Sequence, residues 1–225
     1  MADPHELWVF AYGSLMWRPG FPSEEAAHAK VVGWRRAFCI YSRHHRGSPQ
    51  RPGLVLGLDR GGVCEGIAYR VARENAAATL AYLRDREQIG SVYREALVPV
   101  RLMTRGHSEV LALAFLVERA HPSYAGTLPL GEQAQLIRGA TGESGNNIDY
   151  LLSTLAHLND LGIRERSLER LLTLVGSHLA HGTPGVTRPN AVAMLQEHRR
   201  RPVRTRPFRP ADARRFCYRS VLGAV

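Results

Sequence analysis

The sequence predicts an α+β domain, on three observations: six short β-rich runs punctuated by glycine and proline, an amphipathic helix set among them, and two leucine stripes at helical spacing between residues 148 and 179. At 225 residues, 44% of them hydrophobic, the chain can close one sizeable core. The predicted strands lie near residues 8–13, 30–42, 54–59, 63–71, 93–104 and 109–117, all rich in Val, Leu, Ile and aromatics. The first of them, opening on Trp8-Val9-Phe10, breaks into Ala11-Tyr12-Gly13-Ser14-Leu15 where strand propensity would have continued. Gly13 permits a bend or a close ligand approach there, so the backbone amides of Tyr12 to Leu15 are candidates to cradle a carboxylate or carbonyl oxygen. Asp59-Arg60-Gly61-Gly62, between two predicted strands, reads as a hairpin-like turn.

A helix over about residues 75–88 carries Ala76, Leu80 and Leu83 as its apolar stripe. Glu87 follows Leu80 by seven residues, about 20° away on the helical wheel, and is predicted to point inward; Asp85 and Arg86 are predicted to fall toward solvent. A carboxylate aimed into a core is costly unless paired or used, and desolvation would raise its pKa toward values suited to proton transfer. Farther on, Ile148, Leu151, Leu152, Leu155 and Leu158 form one helical stripe stopped by Gly162, with Asn146 or Asn147 as its cap. Leu168, Leu171, Leu172, Val175 and Leu179 form the next before Gly182. These leucines are core positions.

Cys39, Cys64 and Cys217 are odd in number and far apart, which suggests neither a disulfide framework nor a zinc site. Ten histidines include His44-His45 but no H-E-x-x-H spacing, so no metal site is expected. Gly142-Glu143-Ser144-Gly145 lacks the second interval of a G-x-S-x-G nucleophile elbow. The start lacks the basic and apolar regions of a signal peptide, and no apolar run reaches the roughly 20 residues of a membrane span; a cytoplasmic protein with no membrane partner is expected. Of the net charge of +10, residues 181–225 carry +8, from ten arginines against Glu197 and Asp212. The excess therefore belongs to an Arg/Pro-rich tail over 183–225, expected to be disordered apart from a short helix at 190–200, and the domain over 1–182 is nearly neutral. No dedicated nucleic-acid site is expected in that domain, and weak anion binding is expected of the tail.

The ordered run of motifs narrows the function. The string Trp8 to Trp17 with Gly20-Phe21-Pro22, then Val32 to Cys39, His45-Arg46-Gly47 with Pro52-Gly53, Gly66 to Arg70, Arg86-Glu87 with Tyr93 six residues on, His121 to Tyr124, and Gly142 to Leu151 together resemble the ChaC family of γ-glutamylcyclotransferases over about residues 7–180. The resemblance implies a small mixed β-barrel with flanking helices and cleavage of glutathione to 5-oxoproline and cysteinylglycine, without metal or cofactor. It also implies Glu87 as the catalytic acid/base, in place of the structural salt bridge that an isolated helix-end Glu suggests. Many members follow that Glu with Gly-Gly-Tyr; here Gln88 to Val92 intervene before Tyr93, a longer spacer similar to bacterial members. Ala11, Tyr12, Gly13, Ser14 and Leu15 are expected to bind the γ-glutamyl unit. Arg70 is a candidate for a substrate carboxylate, and Tyr93, Tyr124, Asn147 and Tyr150 are candidates to line the pocket. A monomer is expected. Two other readings stay open: the same chemistry on another γ-glutamyl amide or peptide, and a non-enzymatic regulatory protein acting through its basic tail.

Overall fold

The computed structural model describes residues 6–87, 92–103 and 108–177. Five strands form a closed barrel: β1 (Leu7–Ala11), β2 (Glu25–Ser42), β3 (Gly53–Val71), β4 (Tyr93–Leu102) and β5 (Glu109–Val117). Their order around the barrel is β1-β3-β2-β4-β5. Closure comes from parallel pairing of β5 with β1, Trp8 opposite Ala112, and with β3, Leu58 opposite Leu116. Helix α1 (Arg73–Glu87) joins β3 to β4, while α2 (Leu130–Gly139), α3 (Asn147–Asp160) and α4 (Arg166–Ser177) follow the barrel. A two-residue hairpin, β6 (Thr141–Gly142) and β7 (Gly145–Asn146), precedes α3.

Strand alternation divides the apolar side chains between two layers. Along β1, Trp8 and Phe10 turn into the barrel with Leu58, Val100 and Ala112, whereas Val9 and Ala11 turn outward to meet the helices. That outer layer also receives Leu83 of α1, Ile137 of α2, Leu151 and Leu155 of α3, and Leu171 of α4, all with no more than 1% exposure. Each fully buried side chain of this size contributes about 1.5–3 kcal/mol of transfer free energy. The leucine stripes read from the sequence are therefore the mortar between barrel and helices. Leu179, Gly182 and the 183–225 tail with its 190–200 helix lie outside the described residues.

Three sequence expectations change. Asp59 to Gly62 is no turn: β3 runs through it, pairing with the same partner β2 on both sides, Trp34 with Arg60 and Val32 with Val63. Gly61 and Gly62, at φ of 99° and 79°, absorb a bulge that bends the long strand around the barrel. Asn146 does stand at the N-cap of α3 but makes no capping bond, because its side chain accepts from the Thr141 hydroxyl at 2.7 Å. Helix α2, which no stripe announced, completes the outer layer. Gly162, at φ 71°, ends α3 as expected, with Ile163 N–H donating to Leu158 O and Gly162 N–H to Asn159 O, the paired bonds of a Schellman motif.

Candidate active site

A cavity of about 830 Å³ opens between the barrel, the end of α1, the start of α3 and the loop after β2. Glu87 forms part of its wall. Leu83, fully buried one turn earlier, fixes which face of α1 meets the barrel, so the Glu87 side chain is carried inward and stays only 17% exposed. Burial pushes its carboxyl above the ordinary glutamate range; Arg86, whose Nε lies 3.3 Å from Oε1, opposes that rise without cancelling it.

Three phenols share this electrostatic neighbourhood. Tyr12 and Tyr93 donate their hydroxyls to barrel carbonyls, Phe115 O and Leu56 O, each at 2.8 Å. Burial, reinforced by the Glu87 charge, drives both far above the usual phenol range and pushes Tyr150 up to about 12. All three therefore remain neutral beside the carboxylate.

The turn after β1 supplies another part of the wall, through Ser14, Trp17 and Arg18. Ser14–Met16 forms a single 3-10 turn begun by Gly13, and the first N–H groups of such a turn have no acceptor within it. From behind, the buried Arg36 guanidinium holds the Tyr12 carbonyl at 2.5 Å. From the front, Arg86 donates to Ser14 Oγ at 3.0 Å, to the Arg18 carbonyl at 2.7 Å and to the Tyr82 hydroxyl at 2.7 Å. A Cβ on Gly13 would stand 3.4 Å from the Tyr150 hydroxyl oxygen, which measures how closely the turn approaches that ring. A partly desolvated carboxylate, the Ser14 turn and the neutral Tyr93 and Tyr150 thus line one cavity, an arrangement that can take a proton from a bound group and stabilise negative charge near it.

The model of the ChaC-like protein family matches residues 7–178. The chain belongs to the ChaC-like family. It is 37% identical over 188 residues to a glutathione-specific gamma-glutamylcyclotransferase of Escherichia coli strain K12, covering 83% of this chain and 80% of that protein. It is 33% identical over 181 residues to human glutathione-specific gamma-glutamylcyclotransferase 1, covering 79% and 82%. Among solved structures, a yeast γ-glutamyl cyclotransferase described as specific to glutathione superimposes with a TM-score of 0.70 at 24% identity, over 77% of this chain and 96% of that one. That likeness carries the fold, the ChaC barrel with its flanking helices.

Within this ChaC-like cavity the structure brings together Glu87, Ser14, Tyr93 and Tyr150 as wall residues. It leaves Ala11, Tyr12 and Leu15 buried behind the wall, where only the backbone of the turn is in play. Three candidates are corrected. Arg70 is held outside the cavity by Glu24 at 2.8 Å and by Glu6 and Glu25 at 3.2 Å, because β3 is flanked there by the acidic starts of its neighbours. Tyr124 donates its hydroxyl to Asp59 at 3.2 Å on the far side of the bulge. Asn147 is fully buried with its side chain closed on the backbone of Leu54, donating to the carbonyl and accepting from the N–H at 2.7 Å each, a clamp between α3 and β3. Arg86 is corrected in the other direction: it turns into the site, where Ser14 Oγ, the Arg18 carbonyl and the Tyr82 hydroxyl accept from it. Reading the residues one by one also missed Arg46 and His45, whose signal was the Gly/Pro-rich stretch after β2. Cys39 is buried against Gly57 with its thiol pushed up to about 12, unsuited to act as a nucleophile.

Proposed function

We propose that this chain is a glutathione-specific γ-glutamylcyclotransferase in which Glu87 is the proton acceptor and donor. The observation that carries the reading is a carboxylate lifted above its ordinary range by burial, in the wall of a cavity that the Ser14 turn also lines. The names of the relatives supply the substrate class.

In this reading the γ-glutamyl end lies along Tyr12 to Leu15. Ionised Glu87 takes a proton from the substrate α-ammonium, and the freed amine attacks its own γ-carbonyl, forming the C–N bond of a five-membered lactam. Negative charge collects on the former carbonyl oxygen, where one preorganised donor is worth about 3–4 kcal/mol. Collapse breaks the original γ-amide bond as Glu87 returns its proton to the departing nitrogen, and the second proton, shed by the ring nitrogen as it becomes the lactam N–H, leaves the released dipeptide with an ammonium end, so that no net proton is gained or lost. The products are 5-oxoproline and cysteinylglycine. Both reacting groups belong to one substrate, so holding them in attack geometry draws on effective molarities of about 10⁵–10⁸ M, and no activated water is needed.

We also read the chain as a monomer, and a cytoplasmic setting suits a chain whose Cys39 and Cys64 are free thiols. The test is product stoichiometry from glutathione beside γ-glutamyl-alanine. Equal release of 5-oxoproline and cysteinylglycine, with kcat/KM at least tenfold above that for γ-glutamyl-alanine, is expected. No 5-oxoproline from either substrate overturns the reading, and a preference for γ-glutamyl-alanine overturns its glutathione half.

A further inference from the structure

The cavity wall is cationic: Arg18, Arg43, Arg46 and Arg86 face it against the carboxylates of Asp85 and Glu87. These arginines differ in how much of their hydrogen-bonding capacity is engaged. Arg86 is held by Ser14, Tyr82, Arg18 and Glu87. Arg46 donates once, from Nη1 to the Asn146 carbonyl at 3.2 Å, and among the described residues no carboxylate lies within ion-pairing distance of it. A guanidinium carries five N–H donors in a planar fork that matches a carboxylate edge. This one is half-buried, and burial depresses its basicity despite help from Tyr150 and Asp149, the mark of a cation short of compensation.

Its backbone is pinned on both sides. The Arg46 N–H donates to Ser42 Oγ at 2.9 Å, and the β6–β7 hairpin is pinned to the same loop by Glu143 N–H to His44 O and Ser144 N–H to His45 O, both at 2.9 Å. Gly53 and Gly142 permit this packing: a Cβ on either would stand 2.2 Å or 2.3 Å from the carbonyl oxygens of Arg46 and His44. The guanidinium carbon sits 5.2 Å over the Tyr150 ring, whose hydroxyl end abuts Gly13. One tyrosine ring therefore spans from the turn that would hold the γ-glutamyl end to the unpaired cation. In a γ-glutamyl tripeptide the terminal carboxylate lies two peptide units from the γ-carbonyl, at most about 7 Å.

Resting on the cyclotransferase reading above, we propose that Arg46 binds the C-terminal carboxylate of the leaving dipeptide and so selects γ-glutamyl peptides that end in a free carboxylate. Bidentate pairing in a half-buried setting, with Tyr150 beneath the fork, favours the anion over a neutral end. Arg46 is a binding residue remote from the bond that breaks, so its removal should act chiefly on KM.

The experiment compares kcat/KM for glutathione and for glutathione amidated at glycine, in wild type, Arg46→Gln and Arg46→Lys, each checked for an unchanged melting temperature. Wild type should prefer the acid by about 30-fold, the scale of a charge-assisted hydrogen bond. Arg46→Gln should lose that factor on glutathione, mostly through KM, and bring the ratio of the two substrates near one; Arg46→Lys should restore part of it. A parallel fall on both substrates overturns the assignment, because the amide keeps the γ-glutamyl end and the contact with Tyr150 is common to both. A wild-type ratio near one overturns it as well. If the wild type releases 5-oxoproline from neither, the cyclotransferase reading fails and this proposal with it.

Discussion

Asp59 and Glu87 are both carboxylates taken out of water, and the fold treats them in opposite ways. At Asp59, 1% exposed, burial pushes the pKa up, but Arg119 at 2.7 Å, the Arg60 backbone N–H and Arg35 at 3.2 Å outweigh it, and the group titrates below the usual aspartate range. At Glu87 burial wins over Arg86, and the group titrates above its range. Asp59 sits at the bulge of β3 and fastens it to the segment after β5. Glu87 sits in the cavity wall with only part of its charge compensated. A compensated buried charge holds the fold in place, and an under-compensated one beside a cavity is available for proton transfer.

Glu87→Gln should break the comparison most sharply. The amide keeps the shape and removes the proton carrier, so 5-oxoproline formation should fall by about 10³-fold. Stability should not fall with it. A folded-state pKa above the unfolded value means that, above about pH 4.3, the ionised carboxylate opposes folding. The neutral variant should melt at the same or a higher temperature at pH 7 in a calorimetric scan, and that advantage should disappear in acid.

Asp59→Asn should give the converse result. Breaking this buried network costs about 3 kcal/mol, or roughly 6–12 °C in melting temperature, with kcat/KM at 25 °C changed less than about threefold. Its depressed pKa makes the contribution complete above the unfolded value near pH 3.9 and lost as pH falls through the folded value, so wild type and variant should converge in acid.

Arg86→Gln sharpens the boundary between the two cases. It removes the one cation that opposes the rise at Glu87, so the acid limb of kcat/KM should move to higher pH; loss of the clamp on Ser14 should add about a tenfold drop on the plateau. Arg70→Ala should do least: its three carboxylate partners lie away from the cavity, and glutathione kinetics should stay within about twofold of wild type.

The inward turn of Glu87 was legible because a helical wheel needs only local spacing, and the leucines of α3 and α4 were legible for the same reason. Barrel closure was not, except through family resemblance. It depends on β1 meeting β5 across about a hundred residues and on a bend at Gly61-Gly62 that local chemistry reads as a turn. Arg70 misled because Glu6, Glu24 and Glu25 converge on it only after β1 and β2 flank β3. Asn147 misled because a polar residue at a helix start looks available, whereas its partner is the backbone of Leu54, far away in sequence. Arg46 was hidden for a similar reason: its setting is made by the β6–β7 hairpin and Tyr150, about a hundred residues later.

The most direct test is the pH dependence of kcat/KM for glutathione, run on wild type and on His45→Gln, since His45 is the cavity histidine whose pKa burial lowers toward the same region. Both enzymes should show an acid limb clearly above the ordinary glutamate value near 4.3, unmoved by loss of the imidazole. A limb at or below that value, or one that shifts with His45, would contradict the account of Glu87 as a carboxylate kept short of compensation so that it can move protons.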